Sequence, residues 1–200
     1  MIHLASLASR NSLPVLARDG IRLREVHESD AAALTALFRL PEVSQYLDPP
    51  PGTIDEFNGW IALSRSRRAE GKAACFTLVT GEHEVSGLFM ALRLDTPDRA
   101  EIGFAMSPRL WGTGVFVSAI ELYLEFLFTH WAVQTLVGKT CSLNGRGVGV
   151  MRKLGVRVVE ENEKNGAIEY VWTIDRSAAF RVAGSGSNPE SPESPSAPRA

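Results

Sequence analysis

The stretch Arg109-Leu110-Trp111-Gly112-Thr113-Gly114 decides the fold, because it places two glycines directly before a long apolar run. Gly112 and Gly114 lack a β-carbon, so the backbone can turn sharply there and present bare amide N–H groups to a ligand. The run from Val115 to Thr129 predicts a helix, whose first N–H groups and positive dipole end favour a phosphate-bearing ligand. The stretch therefore indicates an anion-binding loop that leads into a helix. A plain glycine turn without a ligand is the alternative.

Further blocks of sequence lie on both sides of this loop. The run Glu101-Ile102-Gly103-Phe104 lies just before it, and Asn144 and the run Arg152-Lys153-Leu154-Gly155 follow about a helix and a strand later. The loop itself reads Arg, two variable residues, Gly, one variable residue, Gly. In this order the blocks resemble the GNAT acetyltransferase superfamily, and in particular the branch of ribosomal-protein N-terminal acetyltransferases. The resemblance covers roughly residues 21–174 and favours a ligand at the loop.

The resemblance implies acetyl-CoA as the acyl donor. In the family, the pyrophosphate rests on backbone amides of the glycine loop. The splayed end of the preceding strand admits the pantetheine arm as an extra strand and offers an N–H to the thioester oxygen, and an asparagine hydrogen-bonds the arm. The donor-binding residues implied here are Phe104, Ala105, Met106, Arg109, Leu110, Trp111, Gly112, Thr113, Gly114 and Asn144. An N-cap needs the same side chain as this last role, so Asn144 can also begin a helix.

Glu101 is implied as a catalytic residue, because many relatives carry an acidic residue on this strand that acts as a base, often through water. A carboxylate needs a raised pKa or a water relay to take a proton from an ammonium efficiently. From the residues alone, an ion pair of Glu101 with Arg93 or Arg99 explains the carboxylate equally well.

The proton donor for the leaving thiolate departs from the family pattern. Many relatives place a tyrosine in the short helix, but Met151 stands at the matching position and cannot donate a proton. Ser142 is the candidate substitute, and water is another. Phe116 and Val117 replace the small and polar residues common after the glycine loop, so backbone contacts alone are expected there.

Hydrophobic patterning and the resemblance together predict an α/β protein of the α+β kind. The GNAT fold implies a mixed, mostly antiparallel central sheet with helices on both faces. Alternating residues over 21–26 predict the first strand, two helices follow, and a hairpin turns at residues 81–84. The predicted order then continues with a strand over 100–106, the long helix, a strand over 134–141, a short helix over 144–154 and a hairpin turning at Asn165-Gly166.

Composition limits the remaining possibilities. A formal charge of -2 gives no reason to expect a nucleic-acid or membrane-surface partner. Cys75 and Cys141 are too few for a disulfide scaffold and are interpreted as reduced, buried thiols of a cytoplasmic protein. The four histidines are widely separated and give no local metal-ligand pair, so no metal is expected.

Three parts are predicted along the chain: an N-terminal extension over 1–19, a GNAT acetyltransferase domain over 20–180, and a disordered tail rich in Ser, Pro and Gly over 181–200. The extension is interpreted as packing on the domain or being disordered. Three arginines, Arg65, Arg67 and Arg68, are interpreted as a solvated helix end.

These inferences predict an acetyl-CoA-dependent N-acetyltransferase that moves an acetyl group to a primary amine by direct attack within a ternary complex. The acceptor amine belongs to a protein N-terminus or a small molecule, and the oligomeric state, a homodimer included, stays open. The alternative is a non-catalytic acyl-CoA-binding or scaffold module. Met151 and the glycine-rich short helix motivate that alternative.

Overall fold

The alternating run that begins at Ile21 forms a strand in the computed structural model, which describes residues 12–177. The strands are β1 (Leu16–Arg18), β2 (Ile21–Glu25), β3 (Ala73–Thr80), β4 (Glu84–Arg93), β5 (Arg99–Met106), β6 (Thr135–Cys141), β7 (Arg157–Lys164) and β8 (Ala167–Asp175). They form one eight-stranded sheet in the order β1-β2-β3-β4-β5-β6-β8-β7. Neighbouring strands are antiparallel except β5 and β6, which run parallel. The predicted mixed, mostly antiparallel sheet is therefore confirmed.

Five α-helices connect these strands within residues 12–177. They are α1 (Ala31–Phe38), α2 (Pro41–Ser44), α3 (Ile54–Ala69), α4 (Val115–Glu125) and α5 (Gly145–Leu154). Helix α3 begins at a reciprocal capping box, in which the Thr53 hydroxyl accepts from the Glu56 N–H and the Glu56 carboxylate accepts from the Thr53 N–H. Helix α4 follows the glycine loop directly, with Gly114 as its N-cap residue.

Alternating side chains on the central strands divide the core into two layers. On β3, Phe76 and Leu78 pack in the layer that contains α4, while Ala73 and Cys75 pack in the layer that contains α1 and α3. Helices consequently cover both faces of the sheet, as the sequence predicts. Cys75 is buried as expected, and burial raises the pKa of its thiol to about 12. Cys141 is only half-buried, so its interpretation as a buried thiol was wrong.

The long helix ends differently from the prediction. The α-helical part stops at Glu125, and one π turn, Phe126–His130, follows. The Trp131 N–H donates to the Phe126 carbonyl at 3.0 Å, which closes this wider turn. Apolar patterning cannot distinguish an α turn from a π turn, because three successive buried residues fit either one. A single π turn of this kind is the usual form of this rare helix.

One of the three arginines at the end of α3 is not a solvated side chain. Arg68 donates to the Glu25 carboxylate at 2.8 Å, and both side chains are 14% exposed. Glu25 also accepts from the Leu13 N–H at 3.1 Å, so it joins the segment before β1 to α3. The predicted tail and residues 1–11 lie outside the described residues, and the three-part division of the chain stays a prediction.

Candidate active site

Strands β5 and β6 separate part of the way along their length. Their parallel ladder pairs Arg99 with Thr135, Ala100 with Leu136 and Glu101 with Val137, and it stops there. Both strands continue past that point, β5 to Met106 and β6 to Cys141. Strand β5 stays paired to β4 over the whole distance. An opening bounded by one unpaired strand edge on each side therefore begins beyond Glu101, and we call it the strand opening.

The glycine loop lies at the end of β5, next to this opening. Gly112 and Gly114 have φ angles of 78° and 87°, a left-handed conformation that side chains disfavour. Neither glycine has a heavy atom within 4 Å of the position that a β-carbon would take. The exposed loop thus holds a conformation that glycine adopts without strain, and space adjoins its backbone.

Some backbone N–H groups of the glycine loop and of the first turn of α4 have no acceptor among the described residues, while others do. The N–H of Leu110 donates to the Ser107 carbonyl at 3.0 Å, and the N–H of Thr113 lies 3.4 Å from the Leu110 carbonyl. Among residues 12–177, no acceptor receives the backbone N–H groups of Gly112, Gly114, Val115 and Phe116. Four such groups at the positive end of α4 form a setting that binds anions.

The side chains of Arg109 and Trp111 fix the loop to its surroundings. Arg109 forms an exposed ion pair with Glu84, at the start of β4. The Trp111 indole N–H donates to the Met106 carbonyl at 3.1 Å, which attaches the middle of the loop to the last residue of β5. The loop is therefore held against the sheet by contacts outside its glycines.

Aromatic rings pack between β5 and α4. The rings of Phe104 and Phe116 lie 5.0 Å apart between centroids, and both contact the buried ring of Phe89. Ala105 and Met106 on the same strand are buried. Phe116 thus uses its ring for packing, and its N–H has no acceptor among residues 12–177. The backbone contacts expected at this position stay a prediction.

These features suit a ligand that carries a pyrophosphate and an extended arm, as acyl-CoA does. An anionic pyrophosphate suits the unpaired amides at the start of α4, and an extended arm rich in amide groups suits an unpaired strand edge. The residues that could hold such a ligand are the loop residues Arg109 to Gly114 and the strand residues Phe104 to Met106, and their roles stay a prediction. No group of three or more His, Cys, Asp or Glu residues within 12–177 could hold a metal ion.

Glu101 lies at the apex of the strand opening, with a different partner from the two that the sequence suggested. The Lys139 ammonium lies 3.2 Å and 3.4 Å from its two carboxylate oxygens. Arg93 instead donates to the carbonyls of Gly71 and Trp131, and lies over the Trp131 ring. The predicted pairing with Arg93 or Arg99 was therefore wrong. For Arg93 the reason is strand register: it pairs with Ala100, so its side chain lies on the opposite face of the sheet from Glu101.

The remaining predicted residues lie near α5. The Asn144 side chain accepts from the Gly147 N–H at 2.9 Å, so it caps α5 as that alternative required. Ser142 accepts from the Ile168 N–H at 3.1 Å, and no acceptor for its own hydroxyl proton occurs among residues 12–177. Met151 is 7% exposed and belongs to the core, so it contributes packing only.

Two residues of this region were missed by the sequence reasoning. The position of Lys139 next to Glu101 can be predicted only when the parallel register of β5 and β6 is known. That register pairs Glu101 with Val137, so Lys139, two residues later, lies on the same face as Glu101. The guanidinium of Arg146 lies 3.8 Å over the Trp111 ring centroid. The sequence feature that could have indicated this contact is a cationic residue at the start of the glycine-rich helix together with an aromatic residue in the loop.

The strand opening, the amide loop beside it and the carboxylate at its apex define a transferase enzyme that acts on acyl groups. A family model described as an acetyltransferase (GNAT) domain matches residues 21–157, so the chain belongs to the GNAT acetyltransferase family. This assignment confirms the family and the fold that the sequence predicts. Members of this family use acetyl-CoA as acyl donor.

Individual relatives agree with this assignment. The chain is 25% identical over 145 residues to an uncharacterized N-acetyltransferase p20 of Bacillus licheniformis, across 71% of this chain and 82% of that protein. Its fold resembles ribosomal-protein-S5-alanine acetyltransferase from Vibrio fischeri, with a TM-score of 0.72, 15% identity, and coverage of 82% of this chain and 97% of that one. It also resembles Mycobacterium smegmatis RimJ in complex with CoA-disulfide, with a TM-score of 0.73, 17% identity, and coverage of 90% and 96%. The branch predicted from the sequence is thus represented among these folds.

No helix within the described part of the chain is both long and apolar enough to cross a bilayer.

Proposed function

We propose that the chain is a cytoplasmic, acetyl-CoA-dependent N-acetyltransferase that transfers an acetyl group to a primary amine by direct attack in a ternary complex. The observation that carries the proposal is the end of the β5–β6 ladder at Glu101 and Val137. It leaves an unpaired strand edge that ends beside an anion-binding loop and begins at a carboxylate. Those three features are the ones that transfer from a phosphate-bearing thioester to an amine requires.

Binding of the donor falls to backbone groups in this proposal. The N–H groups of Gly112 and Gly114, with those of the first turn of α4, bind the pyrophosphate. The unpaired edge of β5 near Phe104 to Met106 binds the extended arm and orients the acyl carbonyl through a backbone N–H. Asn144 has its side-chain oxygen engaged at Gly147, so its contact with the arm would use its amide NH2 group.

Side chains near the strand opening carry out the proton transfers in this proposal. Bound acetyl-CoA supplies an activated acyl carbon and a leaving thiolate. Glu101 accepts the proton of the acceptor ammonium, directly or through water, so that the amine nitrogen can form the new N–C bond as the C–S bond breaks. The Ser142 hydroxyl or water returns a proton to the thiolate. Met151 is excluded from that step by its chemistry.

The acceptor that we favour is a protein N-terminal amine, with a small amine as the second candidate. The support for the first is the resemblance of the sequence blocks to the ribosomal-protein N-terminal acetyltransferases, together with the fold neighbours of that kind. A homodimer and the lack of nucleic-acid and membrane partners stay predictions.

Donor binding is the first test. Thermal unfolding is measured with acetyl-CoA and with NAD as control, because both molecules carry an adenine nucleotide and a pyrophosphate. Saturation at 100 times the Kd adds about 2.7 kcal/mol to the free energy of unfolding. For a domain of this size the expected rise in Tm is roughly 5–10 °C. No rise with acetyl-CoA would contradict donor binding at the loop.

Competition between acceptors is the second test. An alanine-leading peptide with a free α-amino group and n-butylamine are mixed with acetyl-CoA and the enzyme, and both products are quantified. Preference for the peptide supports a protein N-terminus as acceptor. Preference for n-butylamine overturns that choice in favour of a small amine. Donor binding without transfer to any amine supports the non-catalytic alternative.

A further inference from the structure

Glu101 holds a partner of the same chemical kind as the proposed acceptor. Lys139 presents a primary ammonium that contacts both oxygens of the carboxylate, at 3.2 Å and 3.4 Å. An amine acceptor arrives as a primary ammonium too, before it loses a proton. Within residues 12–177, this lysine is the only ion-pair partner of Glu101. The carboxylate therefore has a cation in the place where the acceptor cation would bind.

Strand register gives the lysine this position. Glu101 pairs with Val137 at the last rung of the parallel ladder, and Lys139 follows two residues later on the same face of the sheet. Beyond that rung the strands separate, so the ion pair spans the strand opening at its apex. Leu92 on one side and Val171 on the other are the neighbouring residues on the flanking strands. The ion pair is thus flanked by apolar residues on both sides.

We propose that Lys139 is a tethered competitor of the acceptor amine, and that the incoming ammonium must replace it at Glu101. This inference rests on the proposed function of Glu101 and specifies how the site selects its acceptor. Lys139 is then a specificity-determining residue: it weakens binding of acceptors that offer only an ammonium. Acceptors with further contacts to the enzyme, such as an extended peptide, overcome the competition more readily.

The exposure of the pair makes this replacement feasible. The side chains of Lys139 and Glu101 are 45% and 38% exposed. Ion pairs of that exposure contribute little to stability, because solvent and salt screen them. An acceptor can therefore displace the lysine at small cost, and removal of the lysine should improve acceptor binding by about two- to fivefold.

The test compares three lysine variants by the KM for the acceptor. The acceptors are n-butylamine, which equals the lysine side chain without its backbone, and the alanine-leading peptide. Lys139→Met should lower KM about two- to fivefold, with a larger effect for n-butylamine, and Lys139→Arg should retain the wild-type KM because it keeps the cation. Lys164→Met is the matched control. It removes a lysine of similar exposure, 49%, that pairs with Asp48 and Glu169 instead, so its KM should equal that of the wild type.

A double-mutant cycle separates competition from a structural effect. Binding of n-butylamine is measured by calorimetry for the wild type, Lys139→Met, Glu101→Gln and the double variant. Lys139→Met should strengthen binding in the wild-type background and have no effect beside Glu101→Gln. An unchanged or raised KM in Lys139→Met overturns the inference, as does an equal effect in both backgrounds. If the wild type acetylates no amine, the proposed function fails, and the binding cycle still decides whether Lys139 competes for Glu101.

Discussion

The guanidinium of Arg146 lies 3.8 Å above the ring centroid of Trp111 and joins the start of α5 to the glycine loop. The same indole donates to the Met106 carbonyl at the end of β5. One ring therefore connects three parts of the proposed donor site: the strand edge, the loop of amides and the helix that Asn144 caps. Neither contact involves the donor, so the protein without acetyl-CoA already holds the loop in place.

Replacement of Trp111 should weaken donor binding, and the loss should be larger for alanine than for phenylalanine. Trp111→Phe keeps an aromatic face for Arg146 but loses the hydrogen bond to Met106, which costs about 1 kcal/mol, or about fivefold in the Kd for acetyl-CoA. Trp111→Ala loses both contacts and should cost about tenfold or more. Calorimetric titration with acetyl-CoA measures the effect. Trp60→Phe, on α3, is the control and should leave the Kd unchanged; equal losses at both tryptophans would indicate general destabilisation.

The left-handed glycines of the loop provide a second prediction. Gly112→Ala should cost about 1–2 kcal/mol of stability, because alanine is strained at a φ of 78°. It should also weaken acetyl-CoA binding about tenfold, since relief of the strain turns the neighbouring amides. Gly71→Ala is the matched control: its φ is 71° and no atom lies within 4 Å of a β-carbon there. A similar loss of stability with an unchanged Kd is expected for it.

Loss of the Glu101 carboxylate should affect turnover and leave donor binding intact. Glu101→Gln keeps the shape of the side chain but cannot accept the acceptor's proton, so kcat should fall about 100-fold or more. The Kd for acetyl-CoA should stay at the wild-type value. Glu121→Gln removes an ion-paired carboxylate from α4 and should leave kcat unchanged. Normal turnover of Glu101→Gln would remove this residue from the proposed mechanism.

Local sequence chemistry was sufficient for the elements around the site. The turn at Asn165-Gly166 adopts φ angles of 53° and 75°, as an Asn-Gly hairpin should. Gly112 and Gly114 take the left-handed conformation for which glycine was singled out. These features depend on residues adjacent in sequence, and for that reason the pattern of one short stretch predicts them.

Contacts between distant residues were not predictable in the same way. Glu101 was expected to pair with Arg93 or Arg99, which are near in sequence, yet its partner Lys139 comes from the next parallel strand. A parallel pair needs a crossover, so its register depends on how α4 packs and not on a local turn. The contact of Arg146 with Trp111 likewise requires that α5 return to the loop, which no local pattern encodes.

An ion pair between a partly exposed arginine and a buried aspartate lies just before α1. Arg24 donates to both oxygens of the Asp30 carboxylate, at 2.7 Å and 2.6 Å. The His27 N–H and the Thr77 hydroxyl donate to the same carboxylate, at 2.9 Å and 2.8 Å. Burial by itself raises the pKa of Asp30, but these hydrogen bonds outweigh it and the pKa lies below its ordinary value.

Asp30→Asn should therefore lower the free energy of unfolding by about 2 kcal/mol at neutral pH, because it replaces charge-assisted hydrogen bonds to the partly exposed Arg24 cation by neutral ones. A carboxyl group with a lowered pKa stabilises the fold at a pH above its unfolded-state value, and this contribution is lost as the pH falls through the folded-state pKa. Urea unfolding of both proteins between pH 7 and pH 3 should show a difference that is constant at first and shrinks below about pH 4. Thr77→Val removes a single hydrogen bond to Asp30 and should cost only about 1 kcal/mol. A difference between Asp30→Asn and the wild type that does not change down to pH 3 would show that the ionised carboxylate is not the source of the stability.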